Sequence, residues 1–69
     1  MKKLSFWGAY NKLPSDEKLQ VRDQLMVLFK IKDIPNIYKR LKNDNAPKSE
    51  IKETIDDIFH NYNIEISWK

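Results

Sequence analysis

The stretch "KIKDIPNIYKRLK", Lys30 to Lys42, carries five basic residues and a single acid. It also spaces Ile34, Ile37, Tyr38 and Leu41 as one side of a helix would. With Ile34 set at 0°, helical steps put Ile37 at about 300°, Tyr38 at about 40° and Leu41 at about 340°. These four residues therefore form an inward side. The same steps put Lys39 at about 140°, Asn43 at about 180°, Asn36 at about 200° and Arg40 at about 240°, on the outward side. Pro35 lacks an N–H and fits best in the first helical turn, with Asp33 in position to cap it. The spacing thus predicts a helix over 34–42 that ends at the turn-rich "NDNAP".

Upstream, "LPSDEKLQVRDQLMVLF" opens like a helix, with Ser15 as N-cap candidate and Asp16 and Glu17 in the first turn, where the helix dipole favours acids. Leu19, Val21, Leu25, Met26, Leu28 and Phe29 supply a broad apolar side and leave Lys18, Arg22 and Asp23 to water, giving a helix over 15–29. Downstream, a third helix begins near Lys48 or Ser49. Its Ile51, Ile55, Ile58, Phe59 and Tyr62 fall within roughly a third of the circumference.

The ends support two readings. "IEISW" alternates Ile64, Ile66 and Trp68 against Glu65 and Ser67, and "LSF" at 4–6 alternates too, so the termini can pair as a short two-stranded β ribbon. "SFWGAYNKL" reads equally as a short first helix, which Gly8 weakens. Trp7 and Trp68 are expected to pack together and close the core. The alternative is an exposed aromatic patch with Phe6, Tyr10 and Tyr62 as neighbours.

Sixty-nine residues make one small domain, 1–69, that buries roughly 60% of its unfolded surface. The absence of cysteine excludes disulfides, thiolate catalysis and cysteine-based zinc sites, and one histidine is too few for an ordinary His-rich metal site. A single glycine excludes Gly-rich phosphate loops and disfavours a tight-turned sandwich or barrel. The longest apolar run, "LMVLF", is far short of a membrane span, and "MKKLSFWGAY" has no apolar stretch of secretory length behind its charged head. A cytoplasmic protein is expected. The fold expected is mainly α: a small three-helix, helix-turn-helix-like bundle, with or without the terminal ribbon.

Charge is segregated along the chain. Residues 1–29 carry five bases and three acids (+2), residues 30–42 five and one (+4), and residues 43–69 three and six (−3), which together give the net +3. Such asymmetry suits an anionic partner on one side of the molecule. On the outward side of the middle helix, Asn36 and Asn43 can pair with adenine, and Lys39 and Arg40 with guanine. Lys30, Lys32 and Lys42 flank that side and can hold phosphates.

"RDQLMVLFKI", "IPNIYKRLK" and "APKSEIKETIDDIF" together resemble small repressor-like helix-turn-helix DNA-binding proteins of bacteria, phages and plasmids. The likeness covers roughly residues 15–60. It rests on a helix ending in an apolar pair, a short turn, and then the Ile37, Tyr38, Lys39, Arg40, Leu41 run. It implies a compact helical bundle with 34–42 as the recognition helix. Lys30 stands where that family usually has glycine in the turn, and the Ile31 to Ile37 interval is one residue longer than its usual spacing.

Other chemistry is weakly represented. His60 lies about 180° from Ile51 and should face water. Glu50, Glu53, Asp56 and Asp57 read as a solvated acidic face, since "NDNAPKSEIKET" lacks the central glycine and final glutamate of a calcium loop. No nucleophile set or cofactor motif is visible, so neither an enzyme nor a cofactor is expected. The expectation is a DNA-binding regulator of transcription, or one associated with a plasmid or phage, that binds double-stranded DNA, with a homodimer to raise affinity. The alternative is a protein-interaction module, an accessory or inhibitor protein of a mobile element, using the terminal aromatics or the acidic third helix.

Overall fold

Prolines and asparagines punctuate the chain at or beside the ends of its helices. In the computed structural model, which describes residues 3–69, strand β1 (Lys3–Leu4) leads into helix α1 (Phe6–Asn11). Helices α2 (Ser15–Phe29), α3 (Ile34–Leu41) and α4 (Ser49–His60) follow, and strand β2 (Glu65–Ile66) closes the order. No helix among the described residues is long and apolar enough to cross a membrane.

Helix α2 spans the residues that the apolar spacing predicts, but Ser15 is its first helical residue and makes no capping bond. Pro14 stands in the cap position, and its carbonyl accepts from the backbone N–H groups of Glu17 (3.0 Å) and Lys18 (2.9 Å). Val21 and Leu25 are buried, whereas Leu19 is 54% exposed. Leu19 lies about 200° from Val21 on the helix, which puts it on the water side.

At its C-terminus α2 ends in a Schellman turn. The N–H of Ile31 donates to the Met26 carbonyl (2.9 Å) and that of Lys30 to the Val27 carbonyl (3.2 Å). The turn holds Lys30 at φ 57° and ψ 38°, the left-handed region that glycine enters freely and an L side chain enters at a cost. Helix α4 ends the same way: Ile64 donates to the Phe59 carbonyl (3.1 Å), Asn63 donates to the His60 carbonyl (3.0 Å), and Asn63 sits at φ 60°. An asparagine tolerates that conformation better than a lysine does.

Helix α3 starts on Ile34, with Pro35 in its first turn, and stops at Leu41, one residue before the predicted end. Ile37 and Leu41 are buried and Tyr38 is half-buried, as the wheel requires. Ile34 corrects the reading, because it is 45% exposed. It shares an angular sector with Leu41 and Tyr38 but lies a full turn nearer the helix start, so axial position exposes it.

Both readings of the termini hold together. β1 and β2 pair in parallel, Lys3 with Glu65 and Leu4 with Ile66, and the Ser67 N–H donates to the Leu4 carbonyl at 2.6 Å. Immediately after β1, Ser5 caps α1 by accepting from the Gly8 N–H (3.0 Å), and the Asp44 carboxylate accepts from the Phe6 N–H (3.1 Å). The loop after α3 also grips the tail, because the Asp44 carbonyl accepts from the Lys69 N–H (2.8 Å) and Ala46 donates to the Lys69 carbonyl (3.3 Å).

The core collects Phe6, Ala9, Tyr10 and Leu13 from the N-terminal segment, Val21 and Leu25 from α2, and Ile37 and Leu41 from α3. Ile55 and Phe59 from α4 complete it, with Ile64 and Ile66 from the tail. Trp7 and Trp68 pack in different places. Trp68 lies 4.8 Å from Phe6 between ring centroids, whereas Trp7 stacks on Tyr10 at 5.9 Å and meets Tyr38 edge-on at 6.0 Å. Adjacent residues on a helix diverge by about 100°, so Phe6 draws Trp68 to one side of α1 and Trp7 serves the other.

The left-handed lysine gives a direct test. Lys30→Gly relieves the φ strain and should stabilise the fold by about 0.5–1 kcal/mol, net of the extra freedom glycine gains when unfolded. Urea unfolding with an unchanged m-value measures this, and a loss of stability would show that the lysine side chain contributes more than the turn costs.

Candidate nucleic-acid interface

Four lysines lie on and beside α3: Lys30 and Lys32 in the α2–α3 connection, and Lys39 and Lys42 on or just after the helix. All four are exposed, as are Asn36 and Asn43. On the α3 wheel, Lys42, Lys39, Asn43 and Asn36 occupy one arc opposite Ile37 and Leu41. Lys42 is steadied from the side, its Nζ 5.1 Å above the Trp7 ring.

Arg40 is placed differently from the other candidates. Its guanidinium donates through one Nη to the Asn43 carbonyl and through the other to the Asn45 carbonyl, both at 2.8 Å. It also lies 4.6 Å from the centroid of Phe29 and 5.7 Å from that of Phe6. Burial pulls its pKa below the ordinary guanidinium value, and the side chain is half-buried. The wheel angle pointed Arg40 outward, but its long stem carries the charge past the helix C-terminus to carbonyls of the following loop. The structure therefore uses Arg40 to fasten the α3–α4 loop onto α1 and α2.

The asparagines are partly engaged as well. The Asn36 amide donates to both carboxylate oxygens of Asp33 (2.9 and 2.8 Å), and the Asn43 side-chain oxygen accepts from the Asn45 N–H (2.9 Å). Each keeps only half of its amide free, Asn36 the acceptor and Asn43 the donor. Asp33, read from sequence as a helix cap, makes no capping bond and sets one negative charge beside the lysines. No protein family, curated protein or solved structure matches this chain. The site is thus defined by its own geometry.

Next to the lysine surface lies an aromatic cluster that sequence spacing did not group. Trp7, Tyr10 and Tyr38 meet at centroid distances of 5.9 to 6.4 Å. Lys18 sits 5.3 Å over Tyr10 and donates to the Asn11 side chain (3.1 Å). Burial, with the neighbouring Tyr38, pushes the Tyr10 phenol up to about 12. The Arg22 guanidinium beside it pulls the Tyr38 phenol below its usual value. Tyr38 and Tyr10 are 28 residues apart, and only the packing of α1 on α3 brings them together.

Two measurements check this assignment. Arg40→Ala removes two charge-assisted hydrogen bonds and the ring contacts, and should cost about 1–3 kcal/mol of unfolding free energy. Lys39→Ala, on an exposed position, should stay within about 0.5 kcal/mol of the parent. Equal effects would mean that Arg40 is as free as Lys39. In an ultraviolet titration, one tyrosine should ionise below pH 10 and another near pH 12. Arg22→Leu should move the early step upward, and an unmoved step would assign it to another residue.

Proposed function

We propose that this protein is a cytoplasmic DNA-binding regulator that lays α3 against duplex DNA, with Lys30, Lys32, Lys39 and Lys42 as its main contacts. The observation that carries the reading is the concentration of these four exposed lysines on and beside one helix, within a chain whose acids lie largely elsewhere. A helix of about 12 Å diameter fits the major groove. The helix-turn-helix likeness of residues 15–60 supports the same orientation, with α3 as the element presented to DNA.

The division of labour shifts from the one the sequence suggested. Arg40 serves the fold, so guanine reading falls to Lys39. Asn36 and Asn43 can each offer one hydrogen bond to a base edge without breaking an internal one. A full bidentate adenine contact from Asn36 requires release of Asp33. Affinity therefore comes mostly from phosphates, with modest base preference, and a dimer or cooperative array raises both.

Titration of a mixed-sequence duplex at several salt concentrations tests this. Three lysine–phosphate contacts, from Lys30, Lys32 and Lys42, give a log–log slope of about −3. Amide shifts should cluster at residues 30–43, and Lys42→Ala should weaken all duplexes alike while lowering the slope by about one. No binding at low salt, or shifts confined to the termini, would falsify the reading. Asp33→Asn removes the local repulsion and frees Asn36, so it should tighten binding, whereas weaker binding would assign Asp33 a positive role.

A further inference from the structure

The surface formed by α2 and α4 has a different chemistry from α3. Val27, Leu28 and Ile58, with Gln24 and Thr54, line an open groove of about 430 Å³ between the two helices. Val27 is 78% exposed, more than Leu19 or Ile34. The helices run antiparallel. Gln24, Val27 and Leu28 face Thr54 and Ile58, while Tyr62, just beyond α4, lies near Glu17 at the start of α2.

Acids rim this groove on both sides. Asp23 lies one turn before Val27, and Glu50 and Asp57 neighbour Thr54 at helical spacings of four and three. Glu53 stands beside them, and all four are exposed. Arg22 engages Asp23 at 3.2 Å, yet the Asp23 side chain stays 67% exposed. One cation, Lys30, borders the groove a turn beyond Val27.

We propose that the α2–α4 groove seats an amphipathic helix of a partner protein, whose apolar residues are flanked by lysine or arginine. Two antiparallel helices with a shallow apolar seam offer a third helix a place to lay side chains spaced three and four apart. The acidic rim selects the sign of the partner's flanks. It also repels DNA and anionic lipid, which removes both as occupants. A second copy of this chain is a poor match, because its own basic helix has buried Ile37 and Leu41 and presents only Ile34. This site shares only the bordering Lys30 with the lysine surface, and it stands whether or not that surface binds DNA.

Two short synthetic helices with the same leucine pattern test the proposal, one carrying lysine at the remaining positions and the other glutamate. Titrated into the isotope-labelled full chain, the lysine peptide should bind, with amide shifts at residues 24, 27, 28, 54 and 58, and the glutamate peptide should bind at least about tenfold more weakly. Val27→Lys, at an exposed helical position, should weaken the lysine peptide by about tenfold or more with the circular dichroism unchanged. Glu53→Lys with Asp57→Lys should reverse the preference between the two peptides. Equal binding of both peptides, shifts outside the groove, or no binding would overturn the proposal. So would self-association of the chain alone in sedimentation that Val27→Lys abolishes, because the groove would then belong to a second copy.

Discussion

Phe6 has no exposed surface, and the elements that enclose its ring come from the whole length of the chain. Phe29 approaches from α2 (6.3 Å), Phe59 from α4 (6.2 Å), Trp68 from the tail (4.8 Å) and the Arg40 guanidinium from α3 (5.7 Å). Its backbone N–H is held by Asp44 from the α3–α4 loop. Removing such a ring costs about 3–5 kcal/mol, which is comparable with all that one core supplies in a domain of this size. Helix α1 has only six residues and one glycine, too little to persist by itself. It exists because Phe6, Ala9 and Tyr10 fill the space that the other helices leave, so the fold and its smallest helix stabilise each other.

That dependence explains what the sequence could and could not disclose. Helices α2, α3 and α4 are legible because each repeats apolar residues at helical spacing, from Val21 and Leu25, through Ile37 and Leu41, to Ile55 and Phe59. Helix α1 and the ribbon depend on contacts between residues about forty to sixty apart, which no local pattern encodes. Trp7 and Trp68 show the same limit: both are near chain ends, but the side of α1 each one meets is decided by the placement of Phe6 and Tyr38. The left-handed Lys30 was visible only as a lysine in a glycine position. Its backbone geometry gives that mismatch a physical meaning, because the turn geometry is kept at the expense of strain.

Charge is divided by the same architecture. Helix α2 packs on α3 with one part of its surface and on α4 with another. The bases of residues 30–42 and the acids of α4 consequently occupy different regions of the molecule. Asp56 is an exception among those acids: it accepts from the Trp68 indole (2.9 Å) and from Lys52 (3.0 Å), and so belongs to the tail's attachment. The acids left free, Glu50, Glu53 and Asp57, are those beside the apolar groove. Separation of sign thus accompanies a separation of surface type, polar and basic around α3, apolar with an acidic rim along α2 and α4.

Arg40 shows how far a wheel projection can be trusted for a candidate site. Angle decides where a Cβ points, and it served well for Ile37, Leu41, Lys39 and Asn43. It does not decide where a charge at the end of a long stem comes to rest. A guanidinium in the last turn of a short helix can reach past the helix end to the carbonyls of the loop that follows. Phe29 and Phe6 then offer it ring surface that solvent cannot. Lys39 has no comparable set of carbonyls and rings within reach, so it remains in water. The residue best suited to reading a guanine was therefore drawn into the fold, and the surface beside it keeps lysines, which bind phosphate strongly and discriminate bases weakly.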